Sequence, residues 1–236
     1  MDYTVSLRYR DMSVPVKEYL KEYYEHVPSV NSVFGFAEFC PLYGGRLYKE
    51  EITYNEIQLL RDEGITYRIP VSTLYFNDRT YAESHRFLSK YNIVGNSLIV
   101  ANDELAIRLR NDYPNYKLEH SVVDELWNVE SVNSKLGLYD EVVLHGKWNT
   151  RVKQLSSIVE KSKIRLFTGM GCSYECVDRC CYRNVSQETS GIFVKPELSC
   201  SMTGVGGSKV FDVEVLRSMG FSKFKVLPID KMLRRK

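Results

Sequence analysis

Strand-like and helix-like segments alternate along the whole chain, and this alternation is its strongest constraint on the fold. Eight short apolar stretches read as strands: Val5 to Tyr9, Val33 to Phe39, Tyr67 to Tyr75, Ser97 to Val100, Tyr116 to Val122, Glu141 to His145, Ile164 to Thr168 and Phe224 to Leu227. Most are separated by helices with recognisable start and stop signals. Ser13 stands at a cap position, with Pro15 in the first turn and Tyr19, Leu20 and Tyr23 on one face. Thr53 with Glu56, and Thr80 with Glu83, have capping-box spacing, and Gly64 is placed to end the first of these helices. Asn102 is placed to cap a helix carrying Leu105, Ala106 and Leu109, and Asn149 one carrying Val152, Leu155, Ile158 and Val159. The segment Val213 to Met219 is stopped by Gly220.

Eight strands in such an alternation predict an α/β protein: a single (β/α)8 TIM-like barrel over residues 1–236, with a Cys-rich insertion after strand seven. A doubly wound sheet would show the same alternation, but no glycine-rich phosphate turn follows the first strand. Gly204-Val-Gly-Gly207 follows no clear strand and reads as a connector. With 236 residues and 44% hydrophobic composition there is ample material for a core. Apolar runs such as Glu141 to His145 are strand-length, far short of the ~20 residues of a membrane span. The first ten residues contain no apolar signal-peptide core, so the expectation is a cytoplasmic protein with no membrane partner. A net charge of +2 gives no global field for nucleic acid. The basic tail of Lys231, Arg234, Arg235 and Lys236 leaves an RNA contact open beside its plain reading as a solvated end.

Six cysteines in a reducing compartment do not make a disulfide framework. Five of them, Cys172, Cys176, Cys180, Cys181 and Cys200, fall within 29 residues. Converging thiolates suit zinc or an iron–sulfur cluster, and the spacing alone leaves both open. Position adds weight, because the segment begins just after strand seven, on the face where barrel enzymes keep their chemistry. Cys40 follows strand two and is expected on the same face. Vicinal Cys180 and Cys181 also permit a thiol-redox reading, although adjacent cysteines bridge only with strain. Strand-end residues fill out the expected mouth: Glu38, His120 and His145 as proton-transfer candidates, and Arg46, Asn102 and Arg179 as substrate contacts. For each histidine a structural hydrogen-bonding role weighs equally.

The run Gly171-Cys172-x3-Cys176-x2-Arg179 resembles the peptidase U32 (collagenase-like) family. So does Val33-Phe-Gly-Phe-Ala-Glu38 followed by Gly44-Gly-Arg46. The resemblance extends from about residue 30 to 228. It implies a TIM barrel and a [4Fe–4S] cluster. It also implies oxygen-independent hydroxylation or modification of RNA or a small aromatic substrate, such as a ubiquinone precursor, with an electron donor as partner. Cys172 and Cys176 match the family's ligands, Cys200 matches a later one, and Cys181, Cys180 and Cys40 compete for the fourth place. The sequence departs from the family in lacking a further cysteine downstream of Cys200. No nucleophile–base pair or H-E-x-x-H motif supports peptidase chemistry. A metal-stabilised scaffold that binds a partner such as RNA is the alternative, with zinc the alternative metal.

Overall fold

Successive side chains of a strand point to opposite faces, and the chain uses this to separate charge from apolar surface. The computed structural model describes residues 1–176, 179–191 and 209–228. Seven parallel strands follow in order: β1 (Asp2–Ser6), β2 (Val30–Phe34), β3 (Thr66–Ile69), β4 (Ser97–Val100), β5 (Lys117–His120), β6 (Glu141–Val143) and β7 (Ile164–Phe167). A short antiparallel pair, β8 (Gly169–Met170) and β9 (Lys209–Val210), comes next. Finally β10 (Lys223–Val226) pairs with both β7 and β1 and closes an eight-stranded barrel. The expected TIM-like barrel is therefore the observed one.

Helices surround it: α1 (Val16–Tyr24), α2 (Tyr54–Asp62), α3 (Asp78–Glu83), α4 (His85–Lys90), α5 (Asp103–Asp112), α6 (Val129–Lys135), α7 (Val152–Ser156), α8 (Cys180–Thr189) and α9 (Val213–Ser218). The capping box of Thr53 and Glu56 forms as expected, and Asn102 accepts from the Leu105 N–H at 3.0 Å to start α5. Other starts differ. The box at α3 is built by Asn77 and Thr80 rather than by Thr80 and Glu83. Ser13 turns back to Asp11, leaving Pro15 as the cap of α1, and Asn149 lies in a 3-10 turn ahead of α7. Strands also end earlier than expected. Pro70, with no N–H to offer the ladder, follows β3 at once. After Phe34 the chain leaves the sheet, and the Phe36 N–H turns to Glu51 Oε2 at 3.1 Å. Among the described residues no helix is long and apolar enough to cross a membrane.

Outward residues of the strands, including Val5, Val33, Tyr67, Leu98, Leu118, Val142, Leu166 and Phe224, join Ile57, Leu60 and Leu105 of the helices in one apolar core. Inside the barrel the lower layer is ionic instead. Arg68 of β3 pairs with Glu119 of β5 and, at 3.2 Å, with Glu141 of β6, which is possible only across the lumen. Arg165 of β7 bonds Glu141 and Asp2, each at 2.8 Å, and Lys223 of β10 reaches Glu141 at 2.7 Å. Thr4 and Ser32 share a hydrogen bond of 2.7 Å, and Ser97 donates to Glu119.

Burial alone would raise the Glu141 pKa, but Arg165, Arg68 and Lys223 outweigh it and hold the group at about 2, against an ordinary 4.5. The stability this contributes is full above pH 4.5 and drains away as the pH falls towards 2. Urea denaturation should therefore show stability falling across that window in the wild type and a flatter profile in Glu141→Gln. Arg165→Met, which removes the nearest cation of Asp2 and one of three from Glu141, should cost about 3 kcal/mol at neutral pH.

Candidate functional site

At the C-terminal ends of the strands the polypeptide after β8 makes a tight turn. The Tyr174 N–H donates to Gly171 O at 2.9 Å and the Cys176 N–H to Cys172 O at 3.1 Å. The three-residue spacing thus closes one helical turn and brings Cys172 and Cys176 to the same side. Arg179 takes a left-handed conformation, φ 41°, and its N–H donates to Cys176 Sγ at 3.3 Å. Next comes α8, whose second residue is Cys181. Two bonds hold this helix over the mouth: Leu74 N–H donates to Ser186 Oγ at 3.1 Å, and Thr189 Oγ1 donates to Tyr43 O at 2.8 Å.

Cys172, Cys176 and Cys181 line one cavity of about 480 Å³ together with Arg8, Arg46, Lys49, Glu51, Arg179 and Tyr182. An inner cavity of about 130 Å³ lies against the inward side chains Phe34, Ile99, Phe167 and Lys225 and shares Arg8, Arg46, Ser173 and Tyr182 with the first. The loop carrying Arg46 is tightly seated. A Cβ on Gly44 would stand 2.4 Å from Ser72 O, and Thr73 N–H donates to Leu42 O at 3.1 Å. Arg46 itself pairs with Glu51 and lies 4.2 Å over the Phe36 ring.

The other sequence candidates are distributed unevenly. His145 is nearly buried beside the cysteine turn. Its ring stacks on Tyr174 with centroids 6.3 Å apart, Nε2 bonds Ser173 O at 3.1 Å, and Nδ1 accepts from Lys147 N–H at 3.1 Å. Those contacts fix the proton on Nε2, and burial, helped by Lys147 and Arg151, lowers its pKa to about 4. His145 therefore anchors the turn as a neutral ring. Arg179 is buried and pairs with Glu125.

Four placements correct the expectation of a common mouth. Glu38 lies outside the barrel, exposed and paired with Lys90 at 2.6 Å, because β2 ends before it. His120 is an outward residue of β5. It bonds Asp124 at 2.9 Å and meets Tyr139 edge-on, away from both cavities. Asn102 spends both amide atoms on structure, capping α5 and donating to Leu74 O at 3.2 Å. Cys40 is wholly buried beside Ser84, its Sγ 3.5 Å from that hydroxyl, and shares no cavity with the other thiols. Cys180 does not line the thiol cavity. Cys200, the Gly204–Gly207 stretch and the basic tail lie outside the described residues.

Sequence reading missed Arg8, Lys49, Tyr182 and Lys225 at the mouth. For Lys225 a signal existed: in Lys223-Phe-Lys-Val226 the lysines occupy one face of a strand and the apolar residues the other.

A solved structure, that of the U32 peptidase Mk0906, superposes on the chain with a TM-score of 0.65, over 96% of this chain and 91% of that one, at 14% identity. The chain has the fold of that U32 peptidase. Neither a family model nor a curated protein matches the sequence. Identity at this level speaks to the fold and leaves the chemistry to the site.

As a ligand set the site offers three thiols on one cavity, a backbone N–H to one sulfur, and three arginines on the same wall, of which Arg46 and Arg179 are paired with Glu51 and Glu125. This donor chemistry fits a thiolate-bound metal or cluster. Among the described residues no three His, Cys, Asp or Glu side chains are drawn together as ligands of one ion. Burial, tempered by the bond to Ser84, raises the Cys40 pKa from 9.0 to about 11 and sets that thiol apart, cutting its thiolate fraction about a hundredfold. In native apoprotein, iodoacetamide should alkylate the half-buried Cys172 and Cys181 at least ~100-fold faster than Cys40, and denaturant should erase the difference.

Proposed function

We infer that the chain is an iron–sulfur-dependent enzyme of the U32 type. On this reading it hydroxylates or otherwise modifies RNA or a small aromatic substrate without O2, the two electrons lost by the substrate carbon on hydroxylation passing to the oxygen donor as it is reduced. The observation that carries this reading is the sharing of one cavity by Cys172, Cys176 and Cys181 at the C-terminal mouth of a barrel, with the fold likeness to a U32 peptidase structure in support. Cys200 is the proposed fourth ligand. When bound, a [4Fe–4S] cluster supplies one-electron redox chemistry.

The chain's own residues do the rest. His145 holds the turn that presents Cys172 and Cys176 through its bond to Ser173 O. The Arg179 N–H donates to Cys176 Sγ and fixes where that sulfur points. Arg8, Arg46 and Lys49 line the same cavity and give it a cationic wall suited to a phosphate or carboxylate. Tyr182 and the apolar side chains beneath offer an aromatic substrate a surface to pack on. Among the described residues no histidine bonds a serine, threonine or cysteine side chain, so no nucleophile–base pair supports peptidase chemistry.

Anaerobic purification followed by metal and sulfide analysis tests the reading. A brown protein with about four iron and four sulfide per chain is the expected result. Cys172→Ser, Cys176→Ser, Cys181→Ser and Cys200→Ser should each lose the colour, whereas Cys40→Ser and Cys180→Ser keep it. A colourless protein with stoichiometric zinc, made without oxygen, overturns the reading.

A further inference from the structure

Two lysines of β10 point into the lumen, and their surroundings differ. Lys223 Nζ lies 2.7 Å from Glu141 Oε1 and belongs to the ionic layer. Lys225, one inward step nearer the mouth, is 5% exposed; its carbonyl accepts from Thr168 N–H, while among the described residues its Nζ makes no hydrogen bond or ion pair. Its Nζ sits 3.9 Å from the ring centroid of Phe34 and 5.9 Å from that of Phe167, and the side chain lines the inner cavity beside Ser72 and Ser121. The carboxylate that acts on it electrostatically, Glu119, gives Oε1 to Arg68 and Ser97, while its Oε2 has no hydrogen-bond partner.

A lysine buried without an anion gives up its proton readily. Burial first, then the positive charges of Arg165, Arg68 and Arg46, outweigh Glu119 and bring the Lys225 pKa down to about 7. Its neighbours in register, Thr4 and Phe167, are uncharged. At pH 7 about half of the Lys225 side chain is free amine, against roughly one part in three thousand for an ordinary lysine. Arg8 lines this cavity too. Its guanidinium lies 4.7 Å over the Tyr9 ring and, among the described residues, pairs with no carboxylate.

We propose that Lys225 is an imine-forming amine, and that the inner cavity takes a small carbonyl compound carrying an anionic group held by Arg8. The nitrogen lone pair attacks the carbonyl carbon, the nitrogen loses its two protons as the carbonyl oxygen leaves as water, and a C=N bond replaces C=O. One amine and one carbonyl give one imine and one water, with no change of oxidation state. Tyr182 lines the same cavity, where its hydroxyl is placed to donate a proton to the departing oxygen. This site adjoins the thiol cavity, with which it shares Arg8 and Tyr182, but its amine is none of the thiol ligands.

The test uses the full chain with glyoxylate as probe, cyanoborohydride to reduce any imine to a stable secondary amine, and peptide mass mapping to find it. At pH 7 Lys225 should be labelled at least tenfold faster than the average surface lysine, with the rate half-maximal near pH 7. Arg8→Gln should slow labelling by glyoxylate about tenfold and leave labelling by neutral formaldehyde unchanged. Lys225→Met should lose one equivalent of label while keeping its metal content, which separates this site from the thiol site. Labelling of wild-type Lys225 no faster than that of surface lysines, in a chain with native circular dichroism, overturns the proposal. Equal slowing of both probes by Arg8→Gln overturns the anion-binding part.

Discussion

The buried network of Arg68, Glu119, Glu141, Arg165 and Asp2 is the interaction on which the rest of the barrel depends. Moving an ion into the interior costs several kcal/mol, recovered only when its partners are close and its hydrogen-bonding positions filled. Here Glu141 receives three cations and Arg165 reaches two carboxylates, so charges from six strands are drawn into one network, in which Glu119 Oε2 keeps no hydrogen-bond partner. The lumen of a TIM barrel is usually filled by branched apolar side chains. This one places that material outside, against the helices, and leaves a charged floor under the mouth. The floor sets the potential felt above it, and Lys225 is held below its ordinary protonation range partly by Arg68 and Arg165 of that layer.

The barrel was legible because eight apolar segments and their caps follow simple rules, with Thr53, Asn102 and Gly220 each found where local chemistry put them. Polar residues within strands were harder to read. His120 looked like a mouth residue because it ends a strand, yet it shares a face with Leu118, and the period-two rule points it outward into the apolar core. Glu38 was misplaced because nothing local shows that the chain leaves the sheet at Gly35, a departure fixed by the distant Glu51. Cys40 is expected at the mouth because it follows strand two, whereas its packing under Ser84 is a tertiary fact. The pairing of Cys172 with Cys176 is what the family resemblance implies, and one helical turn brings both to the same cavity.

The two cavities divide the mouth by chemistry. On the rim, the cysteine turn and α8 provide sulfur and a cationic wall. Deeper, the strand ends provide an amine, hydroxyls and aromatic rings in a smaller space. Arg8 and Arg46 border both, and they come from the loops after β1 and β2, opposite in sequence to the segment that carries the thiols. His145 belongs to neither cavity. Its part is to make the cysteine turn a fixed feature of the barrel rather than an appended loop.

Gly44 carries a consequence for how this mouth diversifies. A side chain there would run into the Ser72 carbonyl, and Ser72 Oγ donates to Gly44 O at 3.2 Å, so the loop's backbone is seated on the segment after β3. Insertions there would lift Arg46 off both cavities at once. New selectivity at this rim is therefore written in the side chains the loop displays, at Arg46, Leu47 and Lys49, while its path stays constant, so the segment behaves as a fixed mount with exchangeable tips.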